Sequence, residues 1–215
     1  MNADDHYHDL KNYVSSIGKH SHICMVYCDR EQQITALAEY FKTGFRLGQQ
    51  CVYVSDADTA RFVRNVMMRA GMDVEADVSD GSMTFLTPEQ TYLAGGDFNG
   101  DKMIALVEAM IADAYAAGFN GLRGAGDMSW VLGAKVTGRE IVAYESKINR
   151  LFEQYPFMGM CQYDENRFHA EAVRMLISTH PTILKGGEII KNPNYMPPGE
   201  FLKILEGEEE LKLAV

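Results

Sequence analysis

Apolar positions recur along this chain with two periods, and their alternation predicts an ordered series of strands and helices. Short apolar runs at 22–27, 51–55, 82–86 and 157–163 have strand character. Between them, apolar residues repeat at helical spacing. Ile34, Leu37, Ala38, Phe41 and Phe45 form one stripe, stopped by Gly48, and Phe62, Val63, Val66 and Met67 form the next, stopped by Gly71. Met103, Leu106, Val107, Met110, Ile111 and Ala114 make a third helix ending at Gly118. Thr137 and Glu140 have the spacing of a capping box, and the helix they start runs through Ile141, Ile148, Leu151 and Phe152 to 154. Phe168, Ala172, Met175 and Leu176 mark another helix, and residues 181–190, with Gly186-Gly187 at the turn, predict a terminal hairpin.

A strand joined to the next strand through a helix implies parallel pairing and a right-handed crossover. The expected fold is α/β, a mostly parallel sheet with helices on both faces. One domain is expected over 22–205, preceded by a polar arm or short helix at 1–21 and followed by an acidic, solvated tail at 206–215. The segment 89–100, with Tyr92, Gly95, Gly96 and Phe98, is long enough for a lid or binding loop.

The run Gly121-Leu122-Arg123-Gly124-Ala125-Gly126-Asp127-Met128-Ser129-Trp130 stands out, with three glycines, an arginine, an acid and the single tryptophan of 215 residues. It reads as a buried strand ending in a functional loop. In open α/β sheets, ligands sit at the carboxyl ends of the strands. Those ends place Tyr27, Asp127, Met128, Trp130, Gln162 and Tyr163 around a pocket, with Arg123 lower in its strand and able to pair with Asp127 four residues on. An aromatic and a methionine beside a carboxylate suit a small apolar ligand with one polar group.

Composition narrows the chemistry. A net charge of -10 lacks the basic stripe that direct nucleic-acid binding needs, and no apolar run spans a bilayer or resembles a secretory signal. The cysteines Cys24, Cys28, Cys51 and Cys161 fall mostly in strand-like runs rather than a disulfide framework, which points to reduced thiols in a cytoplasm. After the first strand, Cys28-Asp29-Arg30 has none of the glycines that let backbone amides approach phosphate, and Asp101 stands where a P-loop near 95–102 would need lysine.

Two further readings stay open. His22, Cys24 and Cys28, with His20 nearby, alternate in part along one strand and are candidate metal ligands. The His6-Tyr7-His8 stretch reads as solvated tail. Cys161 with His180 or His169 as base has the elements of a thiolate nucleophile, although its mid-strand position favours a buried, inert thiol. No cofactor is predicted beyond such a metal.

Several motifs together resemble the MEDS family, the sensory domain named for methanogens, methylotrophs and the dichloromethane-responsive regulator. They are His22-Ile23-Cys24 with Tyr27, Gly121-Leu122-Arg123 with Gly126-Asp127-Met128-Ser129-Trp130, Cys161-Gln162-Tyr163-Asp164, Thr179-His180-Pro181, and Asn192-Pro193 with Pro197-Pro198-Gly199-Glu200-Phe201. The resemblance implies a RecA/KaiC-like fold without a P-loop and a non-catalytic domain that senses simple hydrocarbon derivatives such as methanol or halomethanes. It also implies an output partner, a histidine kinase or transcription regulator, with signal carried by a loop or a homodimer interface. The rival expectations are a modified nucleotide-binding RecA-like protein, a metal- or thiol-dependent sensor, and a pure interaction subunit.

Overall fold

The structure, a computed structural model, describes residues 21–186, 188–205 and 211–214. Strand β1 (Ser21–Tyr27) leads into α1 (Arg30–Arg46), which stops at Gly48, where φ of +66° suits glycine. β2 (Gln50–Val54) is followed by α2 (Ala57–Arg69), whose first turn is capped by Asp56 accepting from the amides of Asp58 and Thr59, both at 2.9 Å. A short α3 (Val74–Ser79) precedes β3 (Met83–Leu86), and the next segment opens with a 3-10 turn at Pro88–Gln90. Then come α4 (Gly100–Ala116), β4 (Leu122–Asp127), a second 3-10 turn (Met128–Leu132), α5 (Gly138–Lys147) and α6 (Asn149–Gln154). β5 (Phe157–Asp164), α7 (Ala170–Ser178), β6 (Thr182–Lys185), β7 (Glu188–Lys191) and α8 (Pro198–Leu205) complete the domain.

The strands form one sheet in the order β3-β2-β4-β5-β1-β6-β7, with every neighbouring pair parallel except the terminal β6–β7 hairpin. Strand alternation divides the core in two. Ile23, Met25 and Tyr27 join Leu37, Tyr40, Phe41, Val63 and Met67 on the face covered by α1 and α2. Cys24 and Val26 join Ile104, Val107, Ile141, Leu151 and Leu176 on the face covered by α4 to α8. Gly121 leads into β4, with a φ of +132° and a position where a Cβ would lie 2.3 Å from the Pro156 carbonyl oxygen, so only glycine fits. No helix among the described residues is long and apolar enough to cross a membrane.

The capping box holds: the Thr137 hydroxyl accepts from the Glu140 amide at 3.2 Å, and the Glu140 carboxylate accepts from the Thr137 amide at 2.8 Å. The helix it starts is not continuous to 154. It breaks at Ile148 into α5 and α6. The chain end also differs from expectation. Leu211 and Leu213 are buried against the second face, and Ala214 bridges to Phe168, so 211–214 pack onto the domain. The period-two spacing of those leucines outweighs the acidic composition before them. The arm at 1–20, with His6, His8 and His20, lies outside the described residues.

Candidate functional site

β4 sends alternate residues to opposite faces, and this parity sorts the candidate residues. Arg123, Ala125 and Asp127 point toward α1, while Gly124 and Gly126 face the second layer. Arg123 and Asp127 share a face but do not pair. Four residues of extended strand separate them by about 13 Å. Arg123 is wholly buried, donates from Nε to Gln49 Oε1 at 2.8 Å, and lies with its guanidinium 4.6 Å from the Tyr40 ring centre.

Asp127 belongs to a closed polar network under the carboxyl ends of β4 and β5. Gln33 Nε2 donates to Asp127 Oδ2 and to Gln162 Oε1, both at 3.2 Å. Tyr53 donates its hydroxyl to the same Gln162 oxygen at 3.2 Å, and Gln162 Nε2 points at the Met25 sulfur at 3.5 Å. The Ser129 amide donates to Asp127 Oδ1 at 2.8 Å, which makes the aspartate the cap of the 3-10 turn. Tyr27 lies beside this group, its hydroxyl pushed to higher pKa by burial and by Asp127 and Asp164.

The opposite face carries a second cluster, built from four elements. His22 comes from β1, Cys161 from β5, Glu145 from α5, and His180 from the turn before β6, all buried. Glu145 Oε2 lies 3.3 Å from His22 Nε2, 3.5 Å from His180 Nε2 and 3.4 Å from Cys161 Sγ, and Cys161 Sγ is 3.5 Å from His22 Nε2. The donor atoms of all four residues fall within 4.8 Å of one another. Tyr163 donates its hydroxyl to Glu145 Oε1 at 2.6 Å. Burial and neighbouring Glu145 push the Cys161 thiol well up, so it is no activated nucleophile, while burial and neighbouring His22 hold His180 down at about 3.

The two histidines are oriented from behind. His22 Nδ1 meets Asn149 Oδ1 at 3.2 Å, and Asn149 Nδ2 donates to the carbonyls of Glu145, Ser146 and Thr179 at 2.9, 3.1 and 2.7 Å. His180 Nδ1 donates to the Leu176 carbonyl at 2.7 Å. Gly159 also shapes the site, because a Cβ there would meet the Phe152 ring at 2.6 Å, and that ring stacks on His22 with centroids 4.6 Å apart.

His22 and Cys161 also border a cavity of about 60 Å³. Gly124, Gly126 and Gly159 form its floor, and Met103, Val107, Phe157, Tyr92 and Tyr144 are among its walls. Thr91 and Tyr92 of the segment 89–100 border it, and behind them Tyr92 stacks on Trp130 with centroids 4.7 Å apart, while Phe98 meets the same ring at 5.4 Å. Met128 is fully buried in this second core, beside the covered side.

The sequence-derived set is thus divided. Cys161, Tyr163 and His180 meet on the cavity face, with Met128 and Trp130 nearby, whereas Tyr27, Arg123, Asp127 and Gln162 lie on the other. Among the candidate metal ligands, His22 joins the cluster. Cys24 is buried beside Cys161 in register but outside the four-donor group, and Cys28 is exposed past the strand end with its thiol toward Asp29. His169 is likewise elsewhere, capping α7 by accepting from the Glu171 amide at 3.4 Å. Glu145 and Asn149 escaped the sequence reading. Their signal was an acid and an amide on the stripe that Ile141 begins, four and eight residues after it.

A family model described as MEDS, the methanogen/methylotroph, DcmR sensory domain, matches residues 21–181. The transcriptional repressor DcmR of Methylorubrum extorquens is 24% identical over 170 residues, which cover 79% of this chain and 61% of that protein. Among solved structures, a KaiC-like protein from Pyrococcus horikoshii OT3 superposes with a TM-score of 0.52 at 13% identity, over 77% of this chain and 70% of the other. That likeness shows the fold, a KaiC/RecA-like sheet.

Proposed function

The chain belongs to the MEDS family of sensory domains, and from that premise we propose that it is a non-catalytic receptor for a simple hydrocarbon derivative such as methanol or a halomethane. The observation that carries this reading is the small apolar cavity floored by Gly124, Gly126 and Gly159, with His22 and Cys161 on its rim. A space of about 60 Å³ suits a molecule of a few heavy atoms, its apolar part against Met103, Val107 and Phe157 and its polar atom toward the His22–Cys161 side. The loop between β1 and α1 supports a receptor over a nucleotide enzyme, because Cys28 and Asp29 replace the glycines of a phosphate cradle.

Signal requires the ligand to bind two states with different affinity. The segment 89–100 is placed to report occupancy, since Tyr92 borders the cavity and stacks on Trp130. Output passes to a transcription regulator or histidine kinase, in keeping with the repressor to which the chain is similar. A panel of small alcohols, halomethanes and methylated compounds is to be screened by thermal shift and by Trp130 fluorescence. The expected result is stabilisation and a fluorescence change with at least one class, and no heat from ATP in calorimetry. A flat response across the panel would overturn the receptor reading, and heat from ATP would favour the nucleotide-binding rival.

A further inference from the structure

The cluster on the cavity face has a proton deficit. Asn149 Nδ2 is committed to three carbonyls, so its Oδ1 faces His22 and takes the Nδ1 proton. The Leu176 carbonyl takes the Nδ1 proton of His180. With both rings neutral, each presents an Nε2 lone pair to the same oxygen of Glu145, itself an acceptor. The Cys161 thiol supplies one proton to this meeting point, and His180 Nε2 finds no hydrogen-bond partner among the described residues. Such a buried convergence of lone pairs is costly unless a cation lies among them.

We propose that His22 Nε2, His180 Nε2, Cys161 Sγ and Glu145 Oε2 hold a zinc-class divalent transition-metal ion. A tetrahedral ion with bonds of about 2.0–2.3 Å keeps its donors about 3.3–3.8 Å apart. Four edges of the cluster measure 3.3, 3.4, 3.5 and 3.5 Å. Two imidazoles and a thiolate select zinc, cobalt or iron over magnesium and calcium, which take oxygen donors. The supporting contacts are those a bound ion uses: Asn149 and the Leu176 carbonyl fix the rings, and Tyr163 occupies the second carboxylate oxygen, leaving Oε2 inward. On binding, Cys161 gives its proton to solvent and its sulfur becomes a thiolate ligand. Because His22 and Cys161 also line the cavity, the ion sits at the wall where the polar atom of a ligand arrives. That last link rests on the receptor reading; the metal site rests on its donors alone.

The full chain, incubated with zinc and dialysed against metal-free buffer, is expected to retain a single zinc ion by mass spectrometry. Cobalt loading is expected to give thiolate-to-cobalt charge-transfer absorption that added zinc abolishes. Cys161→Ser should remove that band with the circular dichroism unchanged, and Asn149→Leu should weaken zinc binding about 10- to 100-fold. Should Cys161→Ser fail to fold, the variant with Cys24, Cys28 and Cys51 all changed to Ala leaves Cys161 as the only thiol of the four, and its band must persist. No retained zinc and no cobalt band in the unaltered chain, or a band that survives Cys161→Ser, overturns the proposal. A chain that holds zinc yet ignores every alcohol and halomethane overturns the receptor reading and leaves the metal site standing.

Discussion

On the α1 side of the sheet, Gln33, Tyr53, Asp127 and Gln162 bury a group of polar atoms in which each amide or hydroxyl proton has an oxygen or sulfur to meet. On the other side, His22, Glu145, Cys161 and His180 bury a group of similar size whose inward atoms are nearly all acceptors. A buried network with matched donors and acceptors satisfies itself and serves the fold, fixing how β4 turns into the loop after Asp127. Surplus lone pairs mark a place built for something the chain itself does not supply. The cavity lies on the surplus side, and this agreement of two independent features separates the sites.

Removing the centre of each cluster breaks the comparison most directly. Glu145→Ala takes the acceptor from the buried Tyr163 hydroxyl and Cys161 thiol and is expected to cost about 1.5–3 kcal/mol in urea unfolding of the zinc-free chain. A loss under about 1 kcal/mol would show that the carboxylate does not organise the cluster. Gln162→Met keeps the volume but strands the Tyr53 hydroxyl and the Gln33 amide, at about 1–3 kcal/mol. Zinc retention and the response to small alcohols should be unchanged in it; a lost response would move the ligand to the α1 side.

Asp127→Asn is a milder version of the same test. It turns a carboxylate oxygen into a donor facing either the Gln33 amide or the Ser129 amide, a cost of about 1 kcal/mol by thermal melting, again with ligand response intact. Gly124→Ala should have the smallest effect on stability, within about 1 kcal/mol, because the new methyl would meet the Phe157 ring at an ordinary 3.6 Å. It projects into the cavity, however, so weakened ligand binding with an unchanged melting curve is the expected signature. Full binding by this variant would place the ligand elsewhere.

Much of the fold was legible because it depends on periodicity. The parallel strands, the Gly48 and Gly71 helix ends, the Thr137 capping box and the terminal hairpin all follow from local spacing. The absence of a phosphate cradle was equally local. The candidate site was only half legible. Gln162 and Tyr163 are neighbours in sequence and arrive on opposite faces, a division that depends on which helices cover which side. Cys161 and His180 were visible as chemistry without a partner. The partner, Glu145, was masked as one more helix residue, and its meeting with His22 needed the β1–β5 register and the placement of α5.

The interruption at Ile148 has a chemical result. It ends α5 with carbonyls that the Asn149 side chain answers, and it is this commitment that keeps the amide from turning over. Turned over, Asn149 would offer His22 a donor, the ring would carry its proton on Nε2, and Glu145 would gain the hydrogen bond it lacks. The backbone therefore chooses the tautomer. A kink in a helix, several bonds from any ligand, decides whether the heart of the domain is a finished hydrogen-bonded core or an unfilled coordination sphere.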